Sequence, residues 1–318
     1  MPKTVCHTAP AVRNPFKSSP KEKKPKRAPA PFIVGVSRSG TTLLRLMLDA
    51  HPELTIPPET QFFSEVAQAC RAGASPEELI DLLTSQRRWG DFGLDSNELL
   101  ERLRQKEDPG PRFVMRNFYG LYAEKQGKPR WGDKTPGYAE RIKRINQVLP
   151  ESRFIHLIRD GRDAALSRAH RAGKDDPFDL MARRWVRRIT IAREQGAEID
   201  HYMEMRYEDL VSDPEANVRR VCEFIELDFD PVMLRHHEHA AERMAEMNRD
   251  LAAESTKEGR TAEDRARSHE QAVQPVSTAN VGRWKTEMSD GDNAAFEAEA
   301  GDLLAELGYE VSGVTGRG

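Results

Sequence analysis

Phe32-Ile33-Val34-Gly35-Val36-Ser37-Arg38-Ser39-Gly40-Thr41-Thr42-Leu43-Leu44 runs from a short apolar strand, through a glycine-bracketed and hydroxyl-rich loop, into an apolar helix. Such a loop holds a phosphate-like anion. Gly35 and Gly40 carry no Cβ, so successive backbone N–H groups can turn inward at a helix N-terminus, where the helix dipole also favours negative charge. The spacing G-x-x-x-x-G is that of a phosphate-binding loop, yet the lysine that a nucleoside triphosphatase places after the second glycine is here Thr41. Arg38 supplies a fixed cation inside the loop instead, with a planar fork suited to sulfonate or phosphate oxygens.

Four further stretches stand out downstream. Phe154 to Ser167 (FIHLIRDGRDAALS) reads as a strand delivering Arg159, then a helix carrying Ser167 eight residues later. The others are WGDKTP at Trp131 to Pro136, RYEDLV at Arg206 to Val211 and VGRW at Val281 to Trp284. With the loop segment GVSRSGTTLLRLMLDAHPEL, they resemble, in order, the motifs of sulfotransferases that use 3′-phosphoadenosine 5′-phosphosulfate (PAPS). The resemblance spans most of residues 31 to 312 and implies a three-layer α/β, P-loop-like fold with a central parallel sheet flanked by helices.

The resemblance also implies roles. The loop N–H groups with Arg38, Ser39, Gly40, Thr41 and Thr42 would hold the 5′-phosphosulfate. Arg159 and Ser167 resemble the pair that grips the 3′-phosphate, and Gly282 and Arg283 in VGRW are placed as further contacts. Tyr207 would pack near the adenine, with Trp131 or Trp284 as a possible aromatic wall. Glu59 in PPET, twenty-one residues after Arg38, matches the general base of the branch that includes tyrosylprotein sulfotransferases. Lys134 matches the group beside the departing bridging oxygen, where with Arg38 it would offset developing charge. The cytosolic small-molecule branch carries a His two positions after that lysine; Thr135 and Pro136 follow Lys134 here, which strengthens Glu59. The cofactor expectation is PAPS as co-substrate, with adenosine 3′,5′-bisphosphate as product and no metal required.

Composition permits this. A 318-residue chain with 38% hydrophobic residues can bury one sizeable α/β core. A net charge of −3, from 49 basic and 52 acidic residues, argues against a general nucleic-acid or anionic-membrane partner. No apolar run approaches the roughly 20 residues of a membrane span, and the N-terminus shows no signal-peptide core, so the expectation is a soluble, cytoplasmic protein. Cys6, Cys70 and Cys222 form no C-x-x-C pair.

Residues 1–30, with KEKKPKR at Lys21 to Arg27, read as a disordered basic, Pro-rich tail, and residues 313–318 as a flexible C-terminus. Leu43, Leu44, Leu46, Met47 and Leu48 mark the helix behind the loop. Ser75-Pro76-Glu77-Glu78 spells an N-cap, a first-turn proline and a capping-box glutamate. The polar stretch from Asp91 to Lys128 reads only as helices and loops. Strands at Phe154 to Ile158 and Tyr202 to Arg206 are followed by helices from Asp163 and from an Asp213-Pro214 cap. His236, His237 and His239 sit on a charged helix face rather than in a ligand set. The charged excursion 238–275 precedes VGRW and reads either as a lid over the acceptor or as an exposed, solvated helical excursion. A closing helix over Asp292 to Leu307 stops at Gly308.

Two other functions share this cradle: a P-loop kinase-like phosphotransferase and a noncatalytic nucleotide-binding protein. The acceptor expectation is a hydroxyl (less favoured, an amine) on a small molecule, carbohydrate or peptide tyrosine. Glu59 as base leans this toward a carbohydrate or other alcohol, because an unactivated hydroxyl needs more help than a phenol.

Overall fold

In the computed structural model, the alternation Phe32, Val34 against Ile33 sends successive side chains of the first strand into two different cores. The structure describes residues 27–172, 176–247, 250–251, 259, 261–267 and 269–312. Most of the basic tail and the last six residues lie outside this set, as do parts of the 238–275 excursion.

Strand β1 (Ala30–Gly35) leads through the loop to α1 (Thr41–Asp49), then β2 (Leu54–Thr55) and a helical layer. That layer comprises α2 (Phe63–Arg71), α3 (Pro76–Thr84), α4 (Ser96–Leu103) and α5 (Pro111–Lys125). The short strands β3 (Arg130–Trp131) and β4 (Asp133–Lys134) precede α6 (Ile142–Val148), β5 (Ser152–Ile158), α7 (Gly161–Ala172) and α8 (Phe178–Gly196). Then come β6 (Tyr202–Arg206), α9 (Tyr207–Ser212), α10 (Pro214–Phe224), α11 (His237–Ala245), α12 (Ala262–Arg267), α13 (Trp284–Glu287) and α14 (Asp290–Glu306).

The main sheet has the order β4-β1-β5-β6, every neighbour parallel. β1 and β5 are buried along their whole length, as a parallel sheet covered on both faces requires. One face packs Phe32, Val34 and Phe154 against α2 to α6, and the other packs Ile33, Ile155 and Leu157 against α1, α9 and α10. A third core joins Ile158 to α8 and α14 through Trp185, Phe296 and Leu304.

Local signals are realised where the sequence places them. The Ser75 hydroxyl accepts from the Glu78 N–H at 3.2 Å, and the Glu78 carboxylate accepts from the Ser75 N–H at 2.8 Å. Asp213 caps α10 through the Ala216 N–H at 3.0 Å, and Gly308 ends the closing helix with φ of +75°. The stretch from Asp91 to Lys128 contains α4 and α5; the periodicity of α5 is weak because it buries Tyr122 as well as Phe118 and Tyr119, the latter two in an aromatic cluster.

Trp131 and Trp284 are not walls of the cleft. Trp131 stacks on Tyr119 with centroids 4.5 Å apart, and Trp284 is buried under the Arg162 guanidinium at 3.5 Å. Two described helices of the charged excursion are held by ion pairs to buried carboxylates. Arg243 of α11 pairs with Asp49 at 2.6 Å, and Arg265 of α12 pairs with Asp91 at 2.6 Å. Its charges, which read as a solvated face, act partly as struts.

Candidate active site

β1 and β5 are parallel neighbours in the register Gly35 opposite Leu157, so the loops that follow them leave the same sheet edge side by side. This edge is where open α/β sheets bind ligands. A Cβ on Gly35 would lie 2.5 Å from the Leu157 carbonyl oxygen, so glycine permits the close approach there. Gly40, at φ of +85°, is equally constrained: a Cβ would meet the Tyr207 ring at 2.4 Å. Arg38 itself adopts φ of +77°, a costly conformation for a non-glycine residue and one that clusters at functional sites.

The N-terminus of α1 fits an anion. It has no side-chain cap and no acidic residue in its first turn, so its leading N–H groups and dipole are open to negative charge. The Ser39 hydroxyl is fully buried and has no hydrogen-bond partner among the described residues. A cleft of about 490 Å³ opens in front of the loop, lined by Arg38, Gly40, Thr41, Thr42 and, from α7 and its flank, Arg159 and Ser167.

Arg38 Nε donates to Ser167 Oγ at 3.0 Å. Arg159 reaches back to the same loop, donating from Nη1 to the Arg38 carbonyl at 3.0 Å and from Nη2 to the Asn280 carbonyl at 2.5 Å. Its guanidinium also lies 4.7 Å from the Tyr207 ring centroid. Arg159, Ser167 and the loop therefore form one unit. Asp163, between them on α7, accepts from the Gly282 N–H at 2.7 Å and the Trp284 N–H at 2.9 Å. The Gly282 amide is thereby spent on fastening VGRW to α7 rather than aimed into the cleft. Arg283 does line the cleft, held by Glu287 at 2.6 Å. Tyr207 lines it too, as the ring beneath Gly40.

Glu59 and Lys134 meet although they are 75 residues apart: Lys134 Nζ donates to Glu59 Oε1 at 2.8 Å and lies 3.4 Å from the loop hydroxyl of Thr42. Burial by itself would raise the Glu59 pKa, but the Lys134 ammonium, followed by Arg88 at 3.8 Å, overrides it and holds the carboxyl well below the usual range. Burial also pulls the Lys134 ammonium below its ordinary value, against Glu59.

A buried polar network sets this pair. Asp133 accepts from the Thr60 hydroxyl at 2.8 Å and the Tyr119 hydroxyl at 2.9 Å, and Thr60 N–H donates to Thr135 Oγ1 at 3.1 Å. Thr60 and Asp133 are the chain neighbours of Glu59 and Lys134, so the network ties the PPET turn to the end of β4.

The charged groups are legible in the sequence, whereas most of those that hold them are not. Asp163 had a signal, lying four residues after Arg159, from which it stands 3.9 Å, and four before Ser167 on α7. Asn280, Thr60 and Arg88 had none.

The family model for the sulfotransferase family matches residues 29–231. The chain is 27% identical over 298 residues to a protein-tyrosine sulfotransferase of Drosophila melanogaster, covering 90% of this chain and 52% of that protein. Protein-tyrosine sulfotransferase A of Caenorhabditis elegans is 27% identical over 299 residues, with coverages of 90% and 68%. The chain thus spans about half the length of the Drosophila relative. Among solved structures, the sulfotransferase domain of the curacin biosynthetic pathway superposes with a TM-score of 0.57 at 20% identity, covering 90% of this chain and all of that domain. The sulfotransferase domain of the Synechococcus PCC 7002 olefin synthase gives 0.57 at 21% identity, covering 92% and 98%. These two likenesses show the three-layer fold.

Proposed function

The chain belongs to the sulfotransferase family, and from that premise we propose that it transfers a sulfuryl group from PAPS to a hydroxyl acceptor by in-line displacement. The observation that carries this reading is the joining of Arg38, Arg159 and Ser167 into one anion-binding unit beside the Glu59–Lys134 pair. When bound, PAPS supplies a sulfuryl group activated by a phosphate leaving group.

The residues divide the work. The open N–H groups of α1, with Ser39, Thr41 and Thr42, bind the 5′ anion, while Arg159, Ser167 and Arg283 provide the positive, hydroxyl-bearing wall for a 3′-phosphate. Arg38 contacts both sides through its hydrogen bond to Ser167. Lys134, within reach of Thr42, stabilises charge that develops on the leaving oxygen. Glu59 accepts the acceptor's proton, a role typically worth about 10²- to 10⁴-fold. Lys134 suppresses the basicity of Glu59, and an anionic donor that draws the ammonium away raises it. The carboxylate becomes a competent base when the site is loaded.

The relatives named as protein-tyrosine sulfotransferases favour a phenolic tyrosine-type hydroxyl over the alcohol or carbohydrate to which Glu59 alone leans. Calorimetry of adenosine 3′,5′-bisphosphate against ADP and ATP, with wild type and Arg159→Ala, tests the donor. Tight bisphosphate binding that the substitution weakens supports the reading, and equal or tighter ATP binding sinks it. Transfer from radiolabelled PAPS to a tyrosine peptide and to sugar alcohols then separates the acceptors.

A further inference from the structure

A second cavity, of about 330 Å³, lies beside the donor cleft and is not used by the chemistry above. Its volume falls within the range of about 300–1,000 Å³ typical of small-molecule sites. The two spaces share the loop and α7. Ser167 and His170 of α7 line the cleft, whereas Ala164, Ala165 and Arg168, on the adjoining helix face, line the cavity. Val36 and Ser37 form part of its wall, directly preceding Arg38.

The lining is of two kinds. Trp185 and Met181 of α8, with the two alanines, make an apolar floor whose small residues leave room against an indole. Around it stand four guanidiniums: Arg168, Arg184, Arg187 and Arg188. Two carboxylates serve all four. Asp176 accepts from Arg168 at 3.1 Å and from Arg184 at 2.8 Å through the same oxygen. Glu140 lies 3.1 Å from Arg187 and 3.6 Å from Arg188, again through one oxygen. Positive charge therefore exceeds negative by two among these groups, and the buried Arg188 Nε faces Glu140 at 3.6 Å, beyond hydrogen-bond distance, so that carboxylate satisfies it only in part. Arginine forks left with unspent donors above a flat apolar surface match an anionic head on a flat apolar body.

We propose that this cavity binds a small organic anion, a carboxylate or sulfate or phosphate ester carried on an aromatic or flat alkyl body, with the anion between Arg184 and Arg188 and the body on Trp185. Such a ligand touches the Val36–Ser37 stretch of the anion loop. Neither Glu59 nor Lys134 lines the cavity, so the ligand is an effector, bound and released unchanged.

The test uses the full chain with 4-hydroxyphenylacetate and its neutral isostere 4-hydroxyphenylacetamide. Calorimetry should show the acid binding at least about tenfold more tightly than the amide, the equivalent of one charge-assisted hydrogen bond. The Trp185 indole N–H, which donates to the Arg159 carbonyl at 3.2 Å, should shift in nitrogen–proton spectra with the acid, with Trp185→Phe as the assignment control. Arg184→Glu, at an exposed position, and Arg188→Met should each remove the preference for the acid while bisphosphate binding and thermal midpoint hold. Binding that survives with the acid unsulfated in the presence of PAPS supports the effector site, whereas sulfation that Arg184→Glu leaves unchanged would put the acid beside Glu59 instead and overturn it. Equal binding of acid and amide, no binding of either, or an unshifted Trp185 signal overturns it. Bisphosphate affinity, measured alongside, reports separately on the donor reading.

Discussion

Arg38 and Ser167, 129 residues apart, are joined by a single hydrogen bond of 3.0 Å from the guanidinium Nε to the serine hydroxyl. That bond couples the loop after β1 to the helix after β5, so the two halves of the donor site cannot be perturbed independently. Ser167→Ala is expected to weaken bisphosphate binding by about 10- to 100-fold, as for loss of a hydrogen bond involving a charged group. Calorimetry on a variant with an unchanged thermal midpoint checks it. An effect below threefold would mean that the bond packs the loop on α7 without contributing to binding.

The Glu59–Lys134 pair predicts a split between binding and chemistry. Glu59→Gln should lower kcat by about 10²- to 10⁴-fold and leave bisphosphate affinity unchanged. In Lys134→Met the carboxyl loses its main stabilising charge while burial remains, so its ionisation midpoint should move upward. A carbon-13 titration of the Glu59 carboxyl, with Glu59→Gln as the assignment control, reads that shift; an unmoved midpoint would remove Lys134 as its cause.

Asp133 gives a pH signature of opposite sign to that of a salt-bridged carboxylate. Burial pushes its carboxyl up to about 6, against hydrogen bonds from Thr60, Thr135 and Tyr119, from an ordinary value of 3.8. Between these values the folded state holds the proton more tightly than the unfolded chain. The stability owed to this group therefore falls as pH rises through that window and stays lost above it. Relative to Asp133→Asn, the wild type should lose on the order of 2–3 kcal/mol between pH 4 and pH 7. Urea unfolding of both proteins at the two pH values checks this, and a constant difference would refute it.

The Arg265–Asp91 ion pair should control the seating of α12. Both side chains are buried and 2.6 Å apart, and removing one partner of a buried pair costs about 3–5 kcal/mol. Because Arg267 and His269, just beyond it, line the donor cleft, Arg265→Leu should accelerate limited proteolysis near α12 and weaken the bisphosphate together. Cleavage at the wild-type rate with normal affinity would show that α12 is held by other contacts. Bisphosphate should slow the cleavage in both proteins if this segment closes over the cleft.

What the sequence makes legible is what short-range physics decides. The Ser75–Glu78 capping box, the Asp213 cap and the Gly308 stop depend on a few adjacent residues and recur in the structure as written. The anion loop is legible for the same reason: only glycine accepts the left-handed backbone at Gly40 and the close approach at Gly35. Helix α5 carries only a proline at its start, and α8 lacks even that inside the helix. Their registers follow from packing, α5 through Phe118 on Phe62 and Phe92 and α8 through Trp185 on Phe296 of α14.

The sequence by itself therefore determined the order of strand, loop and helix, the identity of the charged side chains, and the family those motifs resemble. The tertiary structure alone decided which charges meet. It placed Glu59 against Lys134, turned the Gly282 amide onto Asp163, and converted the charges of Arg243 and Arg265 from an apparent solvated face into buried struts. The reason is physical. Backbone conformation is set by neighbours in the chain, whereas an ion pair depends on distance and burial, both fixed only when parallel strands bring distant loops to one edge.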